Sequence, residues 1–301
     1  MNQDNYNEID FVDLFFGVWN KKILVICITT FFAVISVSYS LSLPNIYTSS
    51  ALLASTSKEE SLSGNLGNYS SFAGMAGINL SSGSSDKSIE AIERIKSYDF
   101  FIEQFLPNIE FQNLVAADAW SPEINEINYN QSIFNKNSGK WIEDKKPSHQ
   151  EAFIIYNEML EISKNKRTSF TLIKVEHISP IIAKKWTNLI IRKINSHMRV
   201  LDRIISESSI NYLTKEYNKS NLSELKQVVG KLVQSEIQTL MLIEVTDDYI
   251  FNIISSPIAP EKKSGPSRAL ICILGSVLGF IISILTALML HLSDKRKTLN
   301  I

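Results

Sequence analysis

Two stretches of the chain are uncharged over the length of a membrane helix. Ile23 to Leu43, ILVICITTFFAVISVSYSLSL, and Ala269 to Leu290, ALICILGSVLGFIISILTALML, each match the ~20 residues that cross ~30 Å of hydrocarbon. They predict two membrane spans. A cleaved leader is the alternative for the first, but Asp4, Glu8, Asp10 and Asp13 precede it, unlike a short basic leader. A buried core helix is the alternative for the second. Its length and the flanking Arg268, Lys295, Arg296 and Lys297 oppose that reading. Ahead of the first span, Ile9, Val12, Phe16 and Trp19 fall near one helix face and predict an interfacial segment.

Between the spans the periodicity changes. After Pro44, IYTSSALLAS has the β-branched, alternating character of a strand. Ser61 to Ser85 is rich in glycine and serine but lacks the Lys-Ser/Thr ending of a phosphate-binding loop, so it predicts a flexible surface loop. DKSIEAIERIKSYDFFIEQFL places Ile89, Ile92, Ile95 and Phe100 or Phe101 at helical spacing up to Pro107, predicting one helix. Asp118 to Gln150 turns polar and irregular, a long loop or short elements anchored by Trp120 and Trp141. RTSFTLIKVEHIS predicts a second strand, and DYIFNIIS a third.

Ser179 can cap a helix with Pro180 at its first position. Trp186, Ile190, Ile194, Met198, Leu201 and Ile205 then recur at spacings of three and four, and the pattern runs on through Leu213 and Tyr217. It breaks at NKSNLSE, where Asn221 and Glu224 have capping-box spacing. Leu222, Leu225, Val229 and Leu232 restart a heptad-spaced seam. One unbroken helix from Ser179 to Thr246 would run ~100 Å, far from the membrane the chain must re-enter, so a helical hairpin is predicted. The fold class is α+β: a two-span membrane protein with a membrane-proximal α/β base and a long helical hairpin. Its divisions are residues 1–22 (amino-terminal segment), 23–43 (first span), 44–268 (domain between the spans, with extended helices at about 179–246), 269–291 (second span) and 292–301 (tail).

Charge and candidate chemistry narrow the function classes. The 301 residues carry a formal net charge of -1, which gives no general attraction to nucleic acid. Both cysteines, Cys27 and Cys272, lie inside the spans, so the intervening domain has no disulfide framework. His149, His177, His197 and His291 show no metal-ligand spacing. Asp247-Asp248 and Glu59-Glu60 read as solvated charges, since adjacent side chains point apart. Neither a nucleophile elbow nor a Walker loop occurs. Nothing resembles a catalyst, a metal site or a cofactor site.

Lys21 and Lys22, with Lys295, Arg296 and Lys297, favour cytoplasmic termini, while Lys262, Lys263 and Arg268 at the other end of the second span weaken that count. Gly275 and Gly279 have the G-x-x-x-G spacing that admits another helix backbone. Pro257, Pro260 and Pro266 predict an extended, semi-rigid tether ahead of the second span. A long projection has little core of its own, so the apolar faces from Trp186, Ile190 and Ile194 and from Leu222, Leu225, Val229 and Leu232 are candidate contacts of a homo-oligomer.

NEIDFVDLFFGVWNKKILVICITTFFAVISVSYSLSLPNIYTSSALL resembles the start of the bacterial polysaccharide co-polymerases, the Wzz-type chain length determinants. FAGMAGINL, VEHISPIIAKKWTNLIIRKINSHMRVLD and PIAPEKKSGPSRALICILGSVLGF are similar to that family's glycine-rich loop, strand-to-long-helix junction and proline-rich approach to the second span. The resemblance covers almost the whole chain, with four pieces in order. It implies an inner-membrane protein whose bulk is periplasmic, assembled as a ring or cage. It also implies a non-enzymatic role: setting the modal length of a polysaccharide, typically lipopolysaccharide O-antigen, that a separate Wzy-type membrane polymerase makes from undecaprenyl-linked repeats. Membrane lipid is the remaining partner, and nucleic acid is not one. On the same resemblance the prolines couple the spans to the periplasmic assembly. The short tail SDKRKTLNI leaves no room for the tyrosine kinase of larger relatives, which favours the lipopolysaccharide type. The alternatives are an adaptor for capsule or exopolysaccharide export working with a separate kinase, and a two-span periplasmic sensor.

Overall fold

The computed structural model describes residues 18–56, 87–219, 221–246 and 248–299. The predicted interfacial residues Ile9, Val12 and Phe16 and the glycine-rich stretch Ser61 to Ser85 lie outside them. The chain forms two compact units, Ile46–Lys262 and the pair Met1–Asn45 with Lys263–Ile301.

In the first unit, a four-stranded antiparallel sheet is built from β1 (Tyr47–Ser55), β6 (Leu160–Lys164), β7 (Thr171–His177) and β8 (Phe251–Ser255), in the order β6-β7-β1-β8. Alternation sets its faces. Ser49, Ala51 and Leu53 of β1 are buried, as are Thr171, Ile173, Val175 and His177 of β7, and the register places Ala51 opposite Ile173. The other face is polar: Lys174 pairs with Glu161 at 3.1 Å, and Thr48 donates to Glu176. One face of the sheet therefore takes helices and the other meets water.

The helices on this unit are α2 (Lys87–Ile95), a turn α3 (Tyr98–Phe100), α4 (Phe111–Val115), α5 (His149–Met159), α6 (Pro180–Lys219) and α7 (Ser223–Val245). The single helix predicted before Pro107 is broken. Ser97 leaves helical geometry and accepts from the Phe100 N–H at 3.2 Å, and the chain continues as a π turn (Phe101–Phe105) and a 3₁₀ turn (Leu106–Asn108). That irregularity turns both Phe101 and Phe105 inward, against Tyr156 of α5 and, for Phe105, Trp186 of α6. The polar region holds two small hairpins, β2 (Ala117–Ser121) with β3 (Glu126–Tyr129) and β4 (Phe134–Asn135) with β5 (Lys140–Trp141). Trp120 packs edge-on against Tyr47, and Trp141 meets Phe111 and Phe134, so aromatics do anchor it. Helix α5 and strand β6 have no counterpart in the sequence reading. A capping box of Ser148 and Glu151 starts α5.

Helix α6 supplies Trp186, the largest fully buried side chain among the described residues. Trp186, Ile190, Ile191, Ile194 and Met198 are buried, in one cluster with Ala51, Leu53, Ile173 and Val175. Asn195 works among them: its amide oxygen accepts from the Ile250 and Phe251 N–H groups (3.0 and 2.9 Å), and its amide nitrogen donates to the Phe251 carbonyl at 2.9 Å. This side chain thus starts β8. At the other end of α6, the Ser179 carbonyl accepts the first intrahelical bond from Ala183, and the Ser179 N–H donates to His177 Nδ1 at 2.9 Å. His177 Nε2 lies 2.9 Å from the Asn113 carbonyl. With Nδ1 accepting, the ring is the neutral Nε2–H tautomer, and burial holds its pKa below the ordinary value of 6.5.

Replacing Asn195 by Ala leaves two buried N–H groups and a carbonyl unpaired, each costing about 1–3 kcal/mol. Denaturant unfolding of the full chain should show a loss of about 3 kcal/mol or more. For His177, an unfolded chain binds the proton before the folded one does, so stability falls as pH drops below about 6.5 toward the lowered folded pKa. His177→Gln should lose that part of the acid dependence while retaining the rest, measured as unfolding midpoint against pH.

Candidate functional site

Two arrangements carry the candidate functional residues. The first is the hairpin of α6 and α7, whose root is polar. Asp202, buried on α6, accepts from the Tyr249 hydroxyl and pairs with Lys87 of α2. Burial and the neighbouring Asp202 carboxylate push the Tyr249 phenol upward, so it stays a donor. Arg203 pairs with Glu244 across the two helices, and Arg199 donates to the Thr246 carbonyl at 3.3 Å. Those contacts bring the end of α7 back to the middle of α6.

Beyond the root several apolar positions are exposed among the described residues. Trp186, Ile190 and Ile194, which the sequence reading offered as oligomer contacts, lie in the protomer's own core instead. The correction is physical: this face of α6 packs on the sheet, which the helical period alone does not reveal. On α7, Val229 is buried at 5% exposure, whereas Leu222, Leu225 and Leu232 remain 69%, 45% and 38% exposed. Ile204, Ile205, Tyr212 and Met241 are also exposed along the hairpin. Nor does Asn221 cap α7, whose N-cap is Leu222 with no side-chain cap.

The second arrangement is a pair of apolar helices, α1 (Lys22–Ser42) and α8 (Arg268–Leu299), packed against each other. Lys22–Ser42 and Arg268–Leu290 are long and apolar enough to cross a membrane. A Cβ on Gly275 would lie 2.5 Å from Ser36 Cβ, and one on Gly279 2.5 Å from Phe32 Cβ. The helix that approaches these glycines is therefore the chain's own α1. The seam extends further at four-residue intervals, through buried Ser283 and Ala287. Opposite them, Ser36 donates to the Ile271 carbonyl at 2.8 Å, and Thr29 and Ser283 hydroxyls lie 3.4 Å apart. The serines were legible only as small residues in an apolar run. Pro257 is buried next to Ile258, whose carbonyl accepts from Ser49 of β1 at 2.8 Å; Pro260 is half-buried. Pro266 follows a cis peptide bond with Gly265.

No group of three or more His, Cys, Asp or Glu side chains that could hold a metal occurs among the described residues.

The molecule is thus an α+β protein whose sheet-and-hairpin unit lies in sequence between two apolar helices. Residues 7–106, about a third of the chain, match the family model described as Wzz, chain length determinant protein. No curated protein matches the chain. Among solved structures it is similar to a full-length bacterial polysaccharide co-polymerase, with 12% identity and TM-score 0.41, covering 95% of this chain and 99% of that one. It is also similar to a fragment of WzzB, a polysaccharide co-polymerase from Salmonella Typhimurium, with 13% identity and TM-score 0.30, covering 73% of this chain and 100% of that one.

In a chain with Cys27 and Cys272 changed to Ser, Thr29→Cys with Ser283→Cys should cross-link in the membrane under mild oxidation. Adding Gly279→Leu, which wedges a side chain against Phe32, should abolish the cross-link, read by mobility on non-reducing gels.

Proposed function

We propose that this chain is a non-catalytic regulator of polysaccharide chain length, setting the modal length of lipopolysaccharide O-antigen made by a separate Wzy-type polymerase. The observation that carries the reading is the match of residues 7–106 to the chain length determinant family. The hairpin supports it: exposed apolar side chains at Ile204, Ile205, Leu222, Leu225 and Leu232 offer a repeated surface to further copies, in a ring or cage around a growing undecaprenyl-linked polymer. The surface can bias when a neighbouring polymerase releases its product, but forms no glycosidic bond.

In this reading α1 and α8 anchor the protein in the inner membrane, with both termini cytoplasmic and the bulk of the chain periplasmic. Lys21, Lys22, Lys295, Arg296 and Lys297 favour that orientation. The proline segment from Pro257 to Pro266 serves as the stiff approach to the second span.

Deleting the gene should leave polysaccharide synthesis running while replacing a clustered band distribution on a lipopolysaccharide gel with a broad, short-biased ladder. Loss of all polymer would instead indicate an enzyme or an essential export component. An unchanged ladder with altered capsule would favour the adaptor that works with a separate kinase.

A further inference from the structure

At the end of the helix pair where α1 finishes and α8 begins, two cations converge on one neutral oxygen. Lys263 Nζ and an Arg268 terminal nitrogen donate to Asn45 Oδ1 at 3.1 and 3.2 Å. The same guanidinium reaches the Leu43 carbonyl at 3.3 Å, just past the last turn of α1. Neither cation forms an ion pair among the described residues. Arg268 Nε is buried and makes no hydrogen bond. Capping of the carbonyl end of α1 accounts for one positive charge there, but it does not account for the second charge on the same acceptor or for the unused Nε–H. The amino end of α8 adds the positive end of its dipole. Like charges held this close repel each other, and an anion between them removes the repulsion.

We propose that Lys263 and Arg268 form a site for the phosphodiester headgroup of an anionic membrane lipid, seated between the two apolar helices at this end. Phosphate oxygens match a guanidinium fork and an ammonium in geometry and charge. A lipid is favoured over free phosphate because the cations sit where ~20 apolar residues end, which is the depth of the headgroups. The inference rests on α1 and α8 lying in a bilayer, as the proposed function has them.

The full chain is reconstituted in phosphatidylcholine vesicles containing a trace of spin-labelled phosphatidylglycerol or spin-labelled phosphatidylcholine, and the motionally restricted fraction of each label is measured. Resistance to alkaline extraction reports the spans separately, so failure there concerns the membrane reading and failure of selectivity alone concerns this site. One basic side chain near a charged surface contributes roughly fivefold in affinity. Wild type should therefore prefer phosphatidylglycerol at least fivefold, Lys263→Gln should lose most of that, and Lys263→Gln with Arg268→Gln should approach no preference. Asn45→Ala removes the shared acceptor and leaves both cations, so the preference should persist. Equal restriction of the two labels in wild type, or loss of preference in Asn45→Ala as complete as in the double variant, would overturn the site. Abolition of the phosphatidylglycerol signal by millimolar inorganic phosphate would overturn its assignment to a lipid.

Discussion

Burial of Trp186, Ile190, Ile194 and Met198 in one core with Ala51, Leu53, Ile173 and Val175 fixes one end of a helix far longer than the sheet that carries it. At 1.5 Å per residue, the 40 residues of α6 run ~60 Å, whereas strands of five to nine residues span about 17–30 Å. The sheet can cover only the first part of α6. Among the described residues α7 is the main neighbour of the helix past Asp202, and Ile204, Ile205, Tyr212 and Tyr217 there remain exposed. The polar root contacts follow from the same constraint. Asn195 gives β8 its starting hydrogen bonds, while Asp202 and Arg203 hold Tyr249 and Glu244 at the point where core packing stops.

The apolar pair obeys a different rule. In hydrocarbon there is no hydrophobic gain from helix contact, so close backbone approach and hydroxyl hydrogen bonds do the holding. Gly275, Gly279, Ser283 and Ala287 supply the close approach, and Ser36 and Thr29 the hydroxyls. This leaves Ile26, Phe31, Leu274 and Leu278 exposed on the outer faces, an arrangement that fits contact with lipid.

Much of this architecture was legible in periodicity. Both apolar helices, strands β1, β7 and β8, and the break between α6 and α7 follow from charge-free length, alternation and an interrupted three-four pattern. The failures have physical causes. A 3.6-residue period marks an apolar face but not its partner, so Trp186, Ile190 and Ile194 read as an interface when the sheet takes them. Ile89, Ile92 and Ile95 join smoothly to Phe100 and Phe101 in register, and nothing in that pattern betrays that Ser97 ends one helix and starts the next. Asn221 and Glu224 have the spacing of a capping box without its geometry, while the real one at Ser148 and Glu151 lies in a stretch too polar to suggest a helix. The G-x-x-x-G spacing gave the possibility of close approach; that α1 fills it needed coordinates.

The match of residues 7–106 to the chain length determinant model and a long hairpin with exposed apolar positions are the two observations behind the proposed function, in which the chain presents a surface in multiple copies. The central claim is that the outer half of the hairpin depends on another copy for its cover, while its root is complete within one protomer. Hydrogen–deuterium exchange on the detergent-solubilised full chain, over a dilution series, tests this most directly. Amides from residue 183 to 198 should stay protected at every concentration, whereas those from 204 to 219 and 222 to 240 should exchange faster on dilution. Protection of the outer segments equal to that of the root, and independent of concentration, would contradict it.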